Sequence, residues 1–224
     1  MNIDLKIKDK IEQVLNSFET GRAKPNYGSL TILKDGPNGI KQITFGKQQT
    51  TEYGNLPELI RMYVARNGAY AEKFKPYATK IGKQQLVNDR TFLKMLTDSA
   101  SDPVMCECQD DFFDKRYWTP MIAWADDYKF TTNLSALTLY DSFIHSGGIM
   151  RSLRRDFPES PPSMGGNEKV WIDQYVTTRR NWLANHTNPI LHATVYRMDT
   201  IRSIISANDW NLNLPIKANG NIIA

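Results

Sequence analysis

The first twenty residues carry an apolar stripe with the spacing of an amphipathic helix, and the chain then breaks abruptly. Asp4 is placed to cap this helix, because a carboxylate just before the first turn accepts hydrogen bonds from unpaired backbone N–H groups. Gly21 and Pro25 end the pattern, so Glu19 falls at or just past the end of the stripe. The apolar positions follow three-and-four spacing: Ile7, Ile11, Val14, Leu15 and Phe18.

The segment after this break has the pattern of a β-hairpin. Residues 27–33 and 40–46 contain alternating and β-branched residues that favour strands. Asp35 opens the polar, glycine-rich turn 35–39 between them. The remainder is mostly helical in pattern, so we expect an α+β protein, mainly α, with one small sheet. Helical patterns cover residues 56–65, 89–96, 112–128, 134–145, 170–185 and 200–207.

The length and composition favour a single globular domain. A chain of 224 residues, 41% of them hydrophobic, can bury a substantial core. We expect a single domain spanning residues 1–224, or two lobes that share a core, rather than two separate domains. The small β-containing lobe is expected over about residues 20–55, with the helical lobe formed from the remainder.

Charge and cysteine content exclude several classes of protein. The formal charge of +4 comes from basic and acidic residues mixed along the chain, so it favours anionic partners only weakly and does not indicate a nucleic acid. No apolar stretch has the length of a signal peptide or membrane span, which predicts no membrane contact and leaves the export route open. Cys106 and Cys108 stand one residue apart with no histidine cluster nearby, so neither a zinc site nor a disulfide framework is predicted.

Glu19 and Asp35 are a carboxylate pair of the kind that glycosidic hydrolysis needs. One acid protonates the leaving oxygen, and a second carboxylate handles water or the anomeric carbon. A helix end would keep Glu19 partly desolvated and protonated, whereas a solvated turn would keep Asp35 ionised. The residues alone leave a second interpretation open, in which Glu19 is an ordinary helix-terminal residue and Asp35 an ordinary turn former.

Taken in order, Glu19, Tyr27, Asp35 and Gly46 resemble the signature of glycoside hydrolase family 46, the chitosanases. In that signature seven residues separate the tyrosine from the aspartate, and this spacing is kept here. The resemblance implies a lysozyme-like two-lobed fold with a small β-hairpin or sheet beside a substrate cleft, Glu19 as the acid and Asp35 as the base. It continues through residues 136–147, 175–183, 195–199 and 208–215.

The chain departs from the family pattern around the hairpin. Thr20 follows the acid where the family usually has an amide or acidic side chain, and Gly36-Pro37-Asn38 replaces glycine-arginine-glycine. The loop is also about one residue longer, so the threonine that orients the attacking water does not transfer by counting. Thr44 is the candidate, because Ile43-Thr44-Phe45-Gly46 is similar to a strand of phage lysozymes. It can equally be an ordinary strand threonine.

Five residues are candidates for substrate binding: Tyr27, Gln48, Asp141, His145 and Arg179. Gln48 follows the hairpin and can offer hydrogen bonds to a sugar, or belong to a solvated loop. His145 lies one residue from the position of a family histidine. For Asp141 and Arg179, holding helices together is an alternative to substrate contact.

Three functions remain open at this level. The first is an endo-acting chitosanase that inverts the anomeric centre, with Thr44 placing the water and the carboxyl groups about 6.5 to 9.5 Å apart. The second is a peptidoglycan hydrolase, which suits the positive net charge and the missing loop arginine. The third is a non-catalytic carbohydrate-binding module, against which the two carboxylates argue. No metal or cofactor is implied, and we expect a monomer acting on an extracellular or cell-envelope polysaccharide.

Overall fold

The structure is a computed structural model that describes residues 1–47 and 49–224. It confirms a mainly helical protein with a small antiparallel sheet. No helix in these ranges is both long and apolar enough to span a lipid bilayer. The helices are α1 Leu5–Thr20, α2 Leu56–Ala65, α3 Ala71–Phe74, α4 Arg90–Ser99, α5 Pro103–Phe113, α6 Thr119–Asp127, α7 Asn133–Ser146, α8 Arg151–Arg155, α9 Glu168–Ala184 and α10 Val195–Ser206. The strands are β1 Leu30–Leu33, β2 Gln42–Phe45, β3 Thr50–Thr51, β4 Ile216–Ala218 and β5 Asn221–Ile223.

The chain folds into two compact units. The discontinuous unit comprises residues 1–24 and 116–224, and the inserted unit comprises residues 25–115. The inserted unit extends well past the β-containing lobe of about 20–55 anticipated from the sequence, because helices α2 to α5 share its core with the sheet.

The inserted unit is organised by its central strand, β2. Strands β1, β2 and β3 pair antiparallel in that order, which places Gln42 opposite Leu33. Because side chains alternate along a strand, Ile43 and Phe45 enter the apolar core while Gln42 and Thr44 share the opposite face. The base of the hairpin is therefore fixed by packing.

The discontinuous unit holds α1 in place along its whole length. The carboxylate of Asp4 accepts the backbone N–H of Lys6 at 2.8 Å, as the capping pattern predicts. Ile11 and Val14 are fully buried, and the β4–β5 hairpin packs on the same helix. Helix α9 packs against α7 and α10, which brings distant segments of the chain together.

Three features escape the sequence patterns. Helix α5 and the β4–β5 hairpin are not predicted, because α5 buries the polar Gln109 among its apolar positions and each strand of the hairpin has only three residues. The helix expected over 112–128 is instead a π-helical turn, Asp114–Trp118, followed by α6, whose first turn contains a proline that lacks an N–H. In each case tertiary packing overrides a weak local signal.

Candidate active site

Glu19 lies in the last turn of α1, and that turn is firmly closed. Gly21 adopts a left-handed conformation (φ +73°) and donates its N–H to the carbonyl of Ser17 at 3.0 Å. The hydroxyl of Tyr196 on α10 donates to the carbonyl of Phe18 at 2.6 Å. The backbone that carries Glu19 is thus tied both to its own helix and to α10.

The carboxylate of Glu19 pairs with a buried guanidinium. Arg197 Nη1 donates to Glu19 Oε1 at 2.7 Å, and Arg197 Nε donates to Asp141 Oδ1 at 2.8 Å. The guanidinium also lies 5.1 Å from the centre of the Phe18 ring. Arg197 is almost wholly buried, whereas the Glu19 side chain keeps 38% of its surface exposed. One buried cation is therefore shared between a buried carboxylate and a solvent-accessible one.

Asp141 and Arg179 form the floor of this cluster. Arg179 Nη2 lies 3.3 Å from Asp141 Oδ2, and both side chains are fully buried. Arg179 also donates to the hydroxyl of Ser142, which in turn accepts from the Tyr175 hydroxyl at 2.8 Å. Since neither charged side chain exposes any surface to a sugar, their contacts support the alternative weighed above, that they hold α7, α9 and α10 together.

The charge of Asp141 is stabilised by its two arginines. Burial by itself raises the pKa of the Asp141 carboxyl, but the guanidinium groups of Arg197 and Arg179 outweigh it and bring the pKa below its usual value. Asp141 therefore stays ionised between the two guanidinium groups.

His145 joins the cluster as a neutral ring. Its Nδ1 lies 3.0 Å from Arg179 Nη2, and because a guanidinium only donates, Nδ1 must accept and the ring proton resides on Nε2. Burial lowers the pKa of His145, and the neighbouring Arg197 lowers it further, with Asp141 only partly opposing them. The half-buried imidazole can thus offer Nε2–H as a donor.

The surroundings of Glu19 differ from the apolar setting expected from the sequence. Its carboxyl group lies in the last turn of α1 and accepts a hydrogen bond from the guanidinium of Arg197. The same guanidinium also donates to Asp141. Glu19 therefore lies at the edge of an ion-pair network and not in an apolar pocket.

Asp35 lies in the inserted unit on the exposed loop between β1 and β2. Gly36 closes this loop by donating its N–H to the carbonyl of Ile40 at 3.0 Å, and a Cβ on Gly36 would approach that same oxygen to 2.9 Å. Asp35 Oδ1 accepts a hydrogen bond from Gln42 Nε2 at 3.1 Å. Among the described residues, no side chain or backbone group bonds Oδ2. Asp35 thus presents one oxygen to solvent.

Thr44, the residue predicted to place the attacking water, lies on the central strand β2. Its side chain is buried, and its hydroxyl finds no hydrogen-bond partner among residues 1–47 and 49–224. It pairs across the sheet with Thr31 and Thr51.

Tyr27 is engaged inside the inserted unit. Its hydroxyl lies 3.0 Å from both carboxylate oxygens of Asp110, and its carbonyl accepts from Gln109 Nε2 at 3.0 Å. Lys47 lies over the Tyr27 ring and pairs with Asp110. The Tyr27 hydroxyl therefore holds a position in this polar cluster. The remaining candidate, Gln48, lies outside the described residues.

The chain matches a known protein family over most of its length. The family model of glycosyl hydrolase family 46 matches residues 13–216, which is nearly the whole chain. The chain belongs to glycoside hydrolase family 46. The family 46 assignment bears out the resemblance drawn from Glu19, Tyr27, Asp35 and Gly46, and it makes the protein a glycoside hydrolase.

Individual relatives of this family 46 protein agree with the match. The chitosanase of Bacillus subtilis (strain 168) is 27% identical over 96% of this chain and 82% of its own length. The crystal structure of native chitosanase from Bacillus subtilis MY002 superposes with a TM-score of 0.80 at 24% identity, covering all of both chains. A family 46 chitosanase from Gynuella sunshinyii, in complex with chitotetraose, gives 0.79 at 20% identity over 99% of this chain and 98% of its own.

Two residues that bond the candidate carboxylates are not predicted from the sequence. Arg197 donates to Glu19 although the two are 178 positions apart in the chain. Gln42 carried no signal at all, since an amide at the start of a strand is unremarkable in a sequence. Both emerge only from hydrogen bonds in the folded chain.

Proposed function

We propose that this family 46 protein is an endo-acting chitosanase that hydrolyses β-1,4 bonds with inversion. In this mechanism Asp35 removes a proton from water as the water oxygen bonds to the anomeric carbon. The bond from that carbon to the glycosidic oxygen breaks, and Glu19 gives its proton to the departing oxygen. Atoms and charge balance without any cofactor. The relatives support this substrate. They are named as chitosanases, and some of their structures contain chitosan oligomers.

The observation that carries the proposal is the partial exposure of Glu19 above a buried ion-pair network. A proton donor must reach the substrate and must be held in a defined position. Glu19 keeps 38% of its side-chain surface accessible, and the buried Arg197 donates a hydrogen bond to its carboxyl group. The buried groups thus hold Glu19 in place, and the exposed part of its carboxyl group can act on the sugar.

Asp35 meets the different demands of a general base. It lies on an exposed loop that water can reach, and its Oδ2 is not engaged by any described residue. An oxygen in this state can accept a proton from water. His145, through its Nε2–H, and Tyr27 remain our candidates for sugar contacts beside these two.

The chemistry of the substrate also bears on where the protein acts. A chitosan chain is a polymer with one ammonium group for each deacetylated sugar, and neither its size nor its charge permits passage through a bilayer. We therefore expect the protein to work outside the cell or in its envelope. We also expect it to act as a monomer.

The test compares Glu19→Gln and Asp35→Asn with wild type on chitosan and on purified peptidoglycan. Both variants keep the shape of the side chain and remove its acid or base function, so we expect reducing-end release from chitosan to fall at least about 1,000-fold in each. Glu58→Gln, an exposed glutamate on α2, is the matched control and should retain full activity.

Two results would overturn the proposal. One is near-normal chitosan hydrolysis by a folded Glu19→Gln or Asp35→Asn variant. The other is release of sugar from peptidoglycan alone, which would assign the same site to cell-wall hydrolysis. NMR of the first products reports whether the α- or the β-anomer forms, and retention of the β-configuration would exclude the inverting mechanism.

A further inference from the structure

The side chain of Gln42 is buried at the foot of the loop that carries Asp35. It is only 5% exposed, yet both ends of its amide are used. Its Oε1 accepts the backbone N–H of Tyr53 at 3.3 Å, and its Nε2 donates to Asp35 Oδ1 at 3.1 Å. A buried amide satisfied on both sides has a fixed orientation.

The chemistry of the two partners determines which way this amide points. A backbone N–H can only donate, so the atom facing Tyr53 must be the oxygen. The nitrogen then faces the carboxylate, which can only accept when ionised. A rotated amide would place two donors together at Tyr53 and two acceptors together at Asp35, and both bonds would be lost.

The strand gives Gln42 a rigidity that the loop cannot give Asp35. Gln42 begins β2, where it pairs with Leu33, and it adjoins Ile43, which is buried in the apolar core. Asp35 is exposed on the loop between β1 and β2, outside the paired strand residues. A hydrogen bond from a fixed strand residue is therefore what restricts the carboxylate to one rotamer.

Thr44, on the same face of β2 as Gln42, does not hydrogen-bond Asp35. Its buried hydroxyl has no partner among the described residues, so no bond in the structure links it to Asp35. The side chain that contacts the proposed base is that of Gln42.

We propose that Gln42 is a positioning residue for the general base: it holds Asp35 by Oδ1 and leaves Oδ2 directed at the water. This inference rests on the proposed function of Asp35. A water that attacks in line must be deprotonated from a defined direction, and misplacement of a catalytic group by about 1 Å costs on the order of 100-fold in rate.

Two substitutions separate this role from a structural one. Gln42→Glu, assayed at a pH high enough to ionise both carboxyl groups, keeps an oxygen for the N–H of Tyr53 but removes the donor to Asp35. Gln42→Met removes both bonds at similar volume. We expect both variants to lower kcat about 10- to 100-fold with KM for chitosan oligomers within about twofold of wild type. Gln85→Met is the matched control, because it removes an amide bond to the carbonyl of Lys41, next to Gln42, without touching Asp35.

The outcomes are distinct. If Gln42→Glu retains wild-type kcat while Gln42→Met loses thermal stability, Gln42 serves only the bond to Tyr53 and the inference is overturned. A loss of kcat in Thr44→Val but not in Gln42→Glu transfers the role to Thr44 and also overturns it. Asp35→Asn is measured alongside: if it remains active, the proposed function fails, whereas an inactive Asp35→Asn beside a fully active Gln42→Glu defeats the Gln42 inference alone.

Discussion

Arg197 donates from Nη1 to Oε1 of Glu19 at 2.7 Å, although the two residues are 178 positions apart in the chain. The same guanidinium bonds the fully buried Asp141. The exposed carboxyl that we assign as proton donor is thus the outer end of a buried ion-pair chain. Substitutions of the buried residues Arg197 and Asp141 should therefore alter both the stability of the protein and its catalytic activity.

Removing the guanidinium of Arg197 should be strongly destabilising. Arg197→Met leaves Asp141 buried with one of its two cations missing, and breaking such a pair costs about 3–5 kcal/mol of unfolding free energy. Urea denaturation followed by circular dichroism measures this loss. The control is Arg180→Met, which breaks an exposed pair with Asp199 and should leave the midpoint almost unchanged. Equal effects of the two substitutions would contradict the shared-cation interpretation.

Neutralising Asp141 should change the pH dependence of activity. Its lowered pKa keeps Asp141 charged at working pH, so Asp141→Asn removes a negative charge that offsets Arg197. The uncompensated guanidinium then favours ionised Glu19, and the alkaline limb of the kcat/KM profile moves to lower pH. The profile is recorded on chitosan oligomers for wild type, Asp141→Asn and the exposed control Asp199→Asn. An unchanged alkaline limb in a folded Asp141→Asn variant would show that Asp141 does not tune the acid.

His145 should make the protein sensitive to mild acid. Burial lowers its pKa in the folded state below the ordinary value of about 6.5, so the unfolded chain binds the proton more readily as pH falls. The contribution of His145 to the free energy of unfolding is fully present above about pH 6.5. It declines below that pH by at most about 1.4 kcal/mol per pH unit. We expect His145→Gln to flatten the dependence of the unfolding free energy between about pH 6.5 and 5.5. His192→Gln replaces an exposed histidine and should leave this pH dependence unchanged.

Gly46 is required for two separate reasons that a pair of substitutions can distinguish. Its φ is +88°, and a Cβ there would lie 2.5 Å from Gln109 Oε1. Gly39 has a similar φ of +74° but open space around it. Gly39→Ala should therefore cost only the backbone strain, about 1 kcal/mol, and Gly46→Ala roughly 1–3 kcal/mol more, as measured by thermal unfolding. Equal losses would mean that Gln109 moves aside freely.

The local parts of the fold follow from the sequence because each depends on neighbours in the chain. The cap at Asp4, the stripe from Ile7 to Phe18 and the bounds of α2 are all set within a few residues, and the structure agrees with each. The hairpin likewise forms where two β-branched segments flank a glycine-rich turn, with strands at Leu30–Leu33 and Gln42–Phe45. The buried Gln109 shows the limit, since it weakens the apolar pattern of α5 yet packs inside the inserted unit.

The sequence by itself determined where the two carboxylates stand, Glu19 at a helix end and Asp35 in a turn, and which family they belong to, because spacing along the chain suffices for both. Only the tertiary structure decided their partners. Arg197 reaches Glu19 because α10 packs beside α1, and Gln42 reaches Asp35 because the loop folds back onto β2. Side chains far apart in sequence, or joined by an irregular loop, meet according to packing, which no local spacing records.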